Sequence, residues 1–468
     1  ANTTGHSNVS VGYGSLDNNT TGNFNSAVGF NALTTNSTGT YNTAMGYEAL
    51  GLATTASGNA AFGIYAAYNT TTGVGNTAFG GAEIGITNAT LFNNTTGSYN
   101  TAMGTASLSA NTTANYNTGV GFQAGFVNQT GSYNTSIGYK AAYANTAANN
   151  TAVGYASLGA NTTGHSNTAL GHDTVKTATT ATYNTGLGRL ALGAATTGSF
   201  NTAVGALSGD AITTGADNTF VGYQSGSGTT TGADNTAIGH DALLANTTGA
   251  QNVAVGSLAG DSITTGNRNT ILGYNSATSL ADGSDNVALG HQVEVAASVA
   301  NTITLGSGIS ATGSNDFSFG KASNVVTNDF DADANWSRSS DERLKKNIVN
   351  QSLGLDFIND LRTVKYNWKP SNELDASDAQ LAHLRRQDAD GNVINDMNTT
   401  VTMHNFIAQE VKTALDTAGV SSFGGWKEDD FGVQQVSREM FVIPLVKAVQ
   451  ELSTQLDAAL ARITTLEG

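Results

Sequence analysis

Residues 150–166 read NTAVGYASLGANTTGHS, and Asn167 starts the same pattern again. The pattern Asn-Thr-Ala-apolar-Gly is spaced by 17 residues, except for one spacing of 24 at an insertion around Glu83–Thr90, one of 16 and a last one of 15. A unit this short must stack on its neighbours to be stable, so the sequence predicts a solenoid or stacked fibre over residues 1–306. The repeated Asn falls at eighteen positions: Asn8, Asn25, Asn42, Asn59, Asn76, Asn100, Asn117, Asn134, Asn150, Asn167, Asn184, Asn201, Asn218, Asn235, Asn252, Asn269, Asn286 and Asn301.

Each copy alternates apolar residues over a short stretch and then turns polar. In residues 151–158 the alternation is typical of a strand, and the NTTG that follows has pure turn composition. The repeats therefore predict a mainly β protein, a parallel β stack of the β-roll or β-prism kind. If each coil advances one strand spacing, eighteen coils make a rod of roughly 85 Å.

The apolar side chains of each copy are few and small, so a core built from one chain would be thin. Several chains wound around one axis could share that core, and the repeated Gly would allow close backbone approach there. We therefore expect an intertwined or laterally packed trimer.

The polar residues of the repeat have competing interpretations. Asn and Thr recur at one fixed phase, which favours stacked hydrogen-bonding ladders over glycan acceptors or an ice-binding surface. Asp217, Asp234 and Asp285 each precede a repeat Asn and could hold calcium. One carboxylate per coil falls short of six to eight oxygens, so these residues are better interpreted as turn residues.

Charge divides the chain into two kinds of protein. Residues 1–325 carry 5 basic and 13 acidic residues, and residues 326–468 carry 14 and 22. A net charge of −16 argues against a nucleic-acid partner, and no apolar run is long enough for membrane insertion. The absence of Cys excludes disulfides and thiolate metal sites. Because the chain begins at Ala1 rather than Met, we expect a processed product or a piece of something longer.

Beyond the repeat, residues 307–339 have the composition of a neck or linker, and the sequence SDERLKKNI begins at Ser340. Taken alone, Ser339 and Glu342 fit a capping box, which predicts a helix start.

The alternative comes from a family resemblance. SDERLKKNI, GLDFINDLRTVKYNWK (354–369), HNFIAQEV (404–411) and FVIPLVKAVQEL (441–452) resemble, in order, the segments of the self-cleaving intramolecular chaperone of phage endosialidases, tail spikes and tail fibres. Asn405 stands where that family usually has Gly. The repeats are similar to those of tail fibres and of trimeric autotransporter adhesin heads. The resemblance implies a small α+β chaperone domain over residues 340–468.

The resemblance also implies a reaction. In that family, the serine matching Ser340 attacks the peptide bond on its N-terminal side, here Ser339–Ser340, and the lysine matching Lys345 activates it. Residues five apart do not face each other on a straight helix. Either Ser340 precedes the helix and folds back, or the lysine comes from another subunit. Asp341, Asn347 and His404 are candidate supporting residues, although a lone His is more often structural.

The chain ends in a heptad pattern with spacing 4, 3, 4, 3, 4, 3, which predicts a coiled coil over residues 443–467. The simpler alternative is an amphipathic helix that lies on its own domain. The strict spacing continues to the last turn, which favours self-association. Association at this end would place the chains in register before similar repeats can pair wrongly. The seam residues are Leu445, Val449, Leu452, Leu456, Ala459, Ile463 and Leu466.

Together these features predict a trimeric extracellular fibre with a C-terminal assembly chaperone. We expect a homotrimer that contacts a host-cell receptor or glycan as part of a virion tail fibre. The alternative is a bacterial surface adhesin or appendage with the same chaperone. The predicted chemistry is at most a single-turnover serine autoproteolysis, with no cofactor and no metal. A glycan-degrading spike would need paired carboxylates, which the acid-poor repeats do not favour.

Overall fold

The structure is a computed structural model. It describes residues 2–82, 88–311, 313–322, 324–329, 337–338, 342–387, 393–394, 399–400 and 402–467. The chain divides into two compact units, Ala1–Ser339 and Ser340–Gly468, called here the rod unit and the C-terminal unit.

The rod unit is a parallel β-solenoid. Each short strand pairs in parallel with the strand of the next repeat, as Thr151, Thr168 and Thr185 show in successive coils. This register confirms the stack of 17-residue repeats. Strands β1 to β17 are Val9–Val11, Ser26–Val28, Thr43–Met45, Ala60–Phe62, Thr77–Phe79, Thr101–Met103, Thr118–Val120, Thr135–Ile137, Thr151–Val153, Thr168–Leu170, Thr185–Leu187, Thr202–Val204, Thr219–Val221, Thr236–Ile238, Val253–Val255, Thr270–Leu272 and Val287–Leu289.

Each coil encloses a core of its own. The middle residue of each strand from β2 to β17 is buried, and a second row follows about six residues later, as Ala152 and Leu158 show. The core inside each coil is as narrow as expected, and small side chains of the one chain fill it. The strands on both sides of each strand belong to the same chain, so the coils are not intertwined.

The repeated Gly has a different role from the one expected. Gly239 has φ +135°, and a Cβ there would lie 2.5 Å from the carbonyl oxygen of Gly256 in the next coil. Only Gly tolerates this backbone region at such close approach. The Gly row therefore permits contact between coils of one chain rather than between chains around an axis.

The predicted Asn ladder is confirmed. The Asn201 N–H donates to Asn184 Oδ1 at 2.9 Å, and the Asn218 N–H donates to Asn201 Oδ1 at 3.1 Å. The Asn201 amide also donates to the Gly215 carbonyl at 2.9 Å. These side chains are fully buried, so the ladder provides partners for backbone groups that water cannot reach.

The three Asp residues weighed as calcium ligands occupy turn positions. Asp217, Asp234 and Asp285 all have φ near +60°. Asp285 accepts two hydrogen bonds from Arg268 of the preceding coil, at 2.6 and 2.8 Å. This ion pair lowers the pKa of Asp285.

The sheet of the rod continues past residue 306 into the expected neck. Strand β19 (Ile303–Ser307) pairs in parallel with β17 and β21 (Asp316–Lys321). Strands β22 (Asn324–Asp329) and β23 (Ser337–Arg338) then add antiparallel, while β18 (Glu294–Val295) pairs with β20 (Ser310–Ala311) on another side. The antiparallel hairpin changes the direction of the chain at this end of the solenoid.

The C-terminal unit is small and mixed α and β. Its helices are α1 (Leu355–Asn359), α2 (Ala408–Thr417) and α3 (Val442–Glu467). Its strands form three two-stranded antiparallel pairs: β24 (Val364–Tyr366) with β27 (Met403–Asn405), β25 (Arg386–Gln387) with β26 (Val393–Ile394), and β28 (Trp426–Glu428) with β29 (Gln434–Val436). Short 3-10 turns lie at Glu342–Leu344, Ser371–Glu373, Ala379–Leu384 and Arg438–Phe441.

Helix α3 uses one face at its start for packing and leaves the heptad face open. Pro444 and Ala448 are buried, and α3 packs against α1. The seam residues Leu445, Val449 and Leu456 are all exposed in the single chain. The predicted helix is thus confirmed, and its seam does not lie on its own domain.

Candidate self-cleavage site

The predicted scissile bond lies at the edge of what the structure describes. Ser339, Ser340 and Asp341 fall outside the described residues. The chain resumes in the 3-10 turn Glu342–Leu344, where the Lys345 N–H donates to the Glu342 carbonyl at 2.9 Å. Asn347 follows with φ +56°, a left-handed conformation that a helix cannot contain.

This local structure replaces the long helix that a capping box would start. A single 3-10 turn ends before Asn347, and the next helix, α1, begins only at Leu355. On a straight helix, the side chains of Ser340 and Lys345, five residues apart, would point in different directions. That argument does not apply here, because no straight helix runs through this segment.

Lys345 itself is exposed in the single chain. A lysine can activate a serine hydroxyl only when its amine is neutral, and burial favours the neutral form. The described residues of one chain do not supply that burial. This exposure is compatible with the alternative in which another subunit completes the site.

His404 lies elsewhere in the same unit. It is an exposed residue of β27, opposite Lys365 of β24, and its carbonyl accepts a hydrogen bond from Arg438 Nη1 at 3.4 Å. These three residues line a groove of about 440 Å³ with Val364 and Phe406 on its walls.

Neither Lys345 nor Asn347 lines this groove. The structure thus groups His404 with the side chains of Lys365 and Arg438 rather than with the predicted base. A supporting role for His404 in the cleavage stays a prediction.

Three of the four segments quoted from the sequence, those that begin at residues 354, 404 and 441, meet in one hydrophobic core. Phe357 of the second segment packs near Phe441 of the last, at 6.2 Å between ring centroids. Phe406 of the third segment lies 4.9 Å from Phe441. Val411 and Leu415 of α2 complete the buried cluster. The core explains why segments so far apart in sequence occur together.

Sequence reasoning missed the contact that holds α1 against α3. The Leu355 N–H, at the first turn of α1, donates to Glu451 Oε2 at 2.7 Å, and Lys447 Nζ lies 3.1 Å from Glu451 Oε1. These two partners lower the pKa of Glu451. A Cβ on Gly354 would collide with this carboxylate. Gly354, the first residue of GLDFIN, could have indicated this contact from the sequence, because Gly lets another group approach the backbone closely.

An exposed ion pair joins two of the segments at the surface. Arg362 Nε donates to Glu410 Oε2 at 3.1 Å, and Arg362 Nη2 bonds to Glu410 Oε1. Glu410 stands in the first turn of α2. The pair therefore fixes α2 against the chain that follows α1.

The comparison with known families agrees with this arrangement. Residues 340–420 match the model of the chaperone-of-endosialidase family. The match to this peptidase-family model begins at Ser340, where the second compact unit also begins. No curated protein sequence matches the chain. A β-solenoid followed by this chaperone fits a tail-fibre or endosialidase-type chaperone protein.

The folded chaperone unit extends beyond the matched residues. Phe423, Trp426 and Val436 pack against the core, and Phe441 is buried in it. These residues follow residue 420, so the hairpin β28–β29 and the start of α3 belong to the same folding unit.

Within the described ranges, no group of three or more His, Asp or Glu residues is placed to hold a metal ion. No helix in the same ranges is both long and apolar enough to cross a membrane.

Proposed function

We propose that this chain is the subunit of a homotrimeric extracellular fibre that attaches its bearer to a host cell or another surface. Its partner is a surface receptor or glycan, and its location is a virion tail fibre. The C-terminal chaperone assembles the trimer and then cleaves itself once, between Ser339 and Ser340.

One observation carries this proposal. A regular β-solenoid of about eighteen coils precedes a chaperone-of-endosialidase domain, and the family match starts at Ser340. The long repetitive unit is typical of a fibre. A chaperone is useful to such a fibre because similar repeats cannot by themselves determine how the chains align. A bacterial surface adhesin with the same chaperone remains the alternative.

The trimer is supported by helix α3. Seven seam residues at strict heptad spacing include Leu445, Leu452 and Leu466, which are exposed in one chain. Exposed leucine rows of this kind are covered when helices associate in a coiled coil. Because this helix ends the chaperone, association there would align the chains before the repeats pack.

The proposed cleavage needs only groups of the chain and water. Lys345, once neutral, accepts the Ser340 hydroxyl proton while Oγ attacks the Ser339 carbonyl carbon. The C–N bond breaks, the Ser340 amine takes up a proton, and an ester joins the two parts. Water then hydrolyses the ester, leaving a carboxylate on Ser339 and a free hydroxyl on Ser340.

Intact mass under denaturing conditions tests the cleavage. We expect the parent chain to give two fragments that divide at Ser339–Ser340, and Ser340→Ala and Lys345→Ala to give one chain of 47.7 kDa. Lys346→Ala is the matched control and should cleave like the parent.

A single uncleaved species in the parent would contradict self-cleavage and leave the chaperone as a permanent part of the fibre. Cleavage in Ser340→Ala would contradict the assignment of the nucleophile. Light scattering of the same samples tests the trimer separately.

A further inference from the structure

One position of the rod is apolar in every coil although it faces outwards. It is the last residue of each strand from β1 to β17, with Leu305 of β19 and Phe319 of β21; we call it the outer apolar row. All nineteen are Val, Leu, Ile, Met or Phe. Each is partly or largely exposed in the single chain, as Phe79 (55 %), Ile238 (40 %) and Leu272 (51 %) show.

A neighbouring position provides an internal control. The residue two places after the repeat Gly is also partly exposed, and it varies freely to include Glu48, Lys140, Asp173 and Asp241. The rod therefore accepts charges where water reaches it. A row that never carries a charge in nineteen coils, at equal or greater exposure, is covered in the assembled protein.

The area of the outer apolar row is sufficient for a stable interface. A Phe side chain buries about 150 Å² or more in full and the aliphatic side chains of the row somewhat less, so nineteen partly exposed side chains present on the order of 1,000 Å² per copy. Specific interfaces bury about 800 Å² per partner. Strands β1 to β17 also begin with an uncharged residue, usually Thr.

We propose that the outer apolar row is the lateral interface of the rod, covered by the same row of other copies of this chain. A second copy has the same axial repeat, so each coil can make the same contact along the whole row. A receptor would contact only part of the row and would leave the rest exposed. This inference rests on the proposed trimer and names the face that the three rods turn towards each other.

The chain has no Cys, so single-Cys variants report individual positions. Three variants test the row: Leu170→Cys, Ile238→Cys and Leu272→Cys. Each is a mild change, and three positions are used so that misfolding of one variant does not decide the result. Thr265→Cys, at an exposed turn, is the control for random collision. Each full-length variant is oxidised or treated with a short bis-maleimide, and linked pairs are counted on a denaturing gel.

Leu456→Cys, on the seam of α3, reports assembly independently of the rod. We expect linked pairs at all three row positions and at Leu456→Cys, with at least a tenfold lower yield at Thr265→Cys. Linkage at Leu456→Cys without linkage in the row would overturn the proposed interface but leave the trimer standing.

Failure of both kinds of variant to form linked pairs would overturn the trimer together with the interface. Equal linkage at Thr265→Cys and in the row would indicate collision and would also overturn the interface. Mixing Leu272→Cys with Leu289→Cys tests the alignment. Copies in register give mainly pairs of like variants, which the masses of the linked peptides after proteolysis distinguish from mixed pairs.

Discussion

Single residues in the rod compensate for each other within a coil. Phe220 stands where most strands have Ala and is fully buried. Gly226 stands where other coils have Leu, as at Leu243, and a Cβ there would lie 2.5 Å from the Phe220 ring. The large side chain of one row thus occupies the space left by the missing side chain of another.

This compensation predicts a rescue. Phe220→Ala should lower the free energy of unfolding by about 3–5 kcal/mol, because it leaves a cavity. Gly226→Leu alone should cost about 1–3 kcal/mol through overpacking. The double variant restores the common coil and should recover most of both losses, since Leu243 adopts the same backbone at φ +52°. Denaturant unfolding of the parent, the two single variants and the double variant measures this cycle. Additive losses in the double variant would contradict the predicted compensation.

Among the elements, α3 performs two separate tasks. Its first turns pack against α1, where Glu451 accepts the Leu355 N–H, and its exposed seam is left for association. The two tasks use different faces of the same helix. The hydrophobic core of the C-terminal unit and the exposed heptad seam are therefore joined through one helix.

The Glu451 contact predicts a pH dependence. Its lowered pKa means that the ionised form is favoured on folding, so its contribution to stability is complete above its usual value of 4.5 and is lost as the pH falls through the lowered pKa. We expect thermal unfolding of Glu451→Gln to depend less on pH below about 4.5 than that of the parent chain.

Asp457→Asn, which removes an exposed carboxylate of the same helix, is the matched control. Its pH profile should keep the shape of the parent profile. Parallel profiles for Glu451→Gln and the parent would show that the contact does not contribute.

For the whole molecule, the main problem is register. The coils are similar enough that a slip of one repeat would preserve most contacts between rods. In the proposed trimer, association at α3 would give each chain one defined starting point.

A seam variant tests this order of events. Val449→Asp with Leu456→Asp would place charges in the middle of the coiled coil, where burial costs several kcal/mol for each ion. We expect light scattering to show the mass of one chain instead of three, with a lower yield of folded rod. Thr454→Asp, on the opposite side of the heptad, should leave the trimer intact. A trimer in the double variant would show that the rod assembles without the seam.

The sequence by itself determined the repeat, its parallel stacking, the Asn ladder, the extent of α3 and the chaperone family. These features depend on the spacing of residues along the chain, which can be read directly from the sequence. The tertiary structure alone decided which contacts the repeated Gly permits, how Phe220 and Gly226 share space, and how far the sheet continues past residue 306. It also separated Lys345 from the groove around His404. Such features depend on distances between coils, between segments or across the inside of one coil, which arise only when the chain has folded.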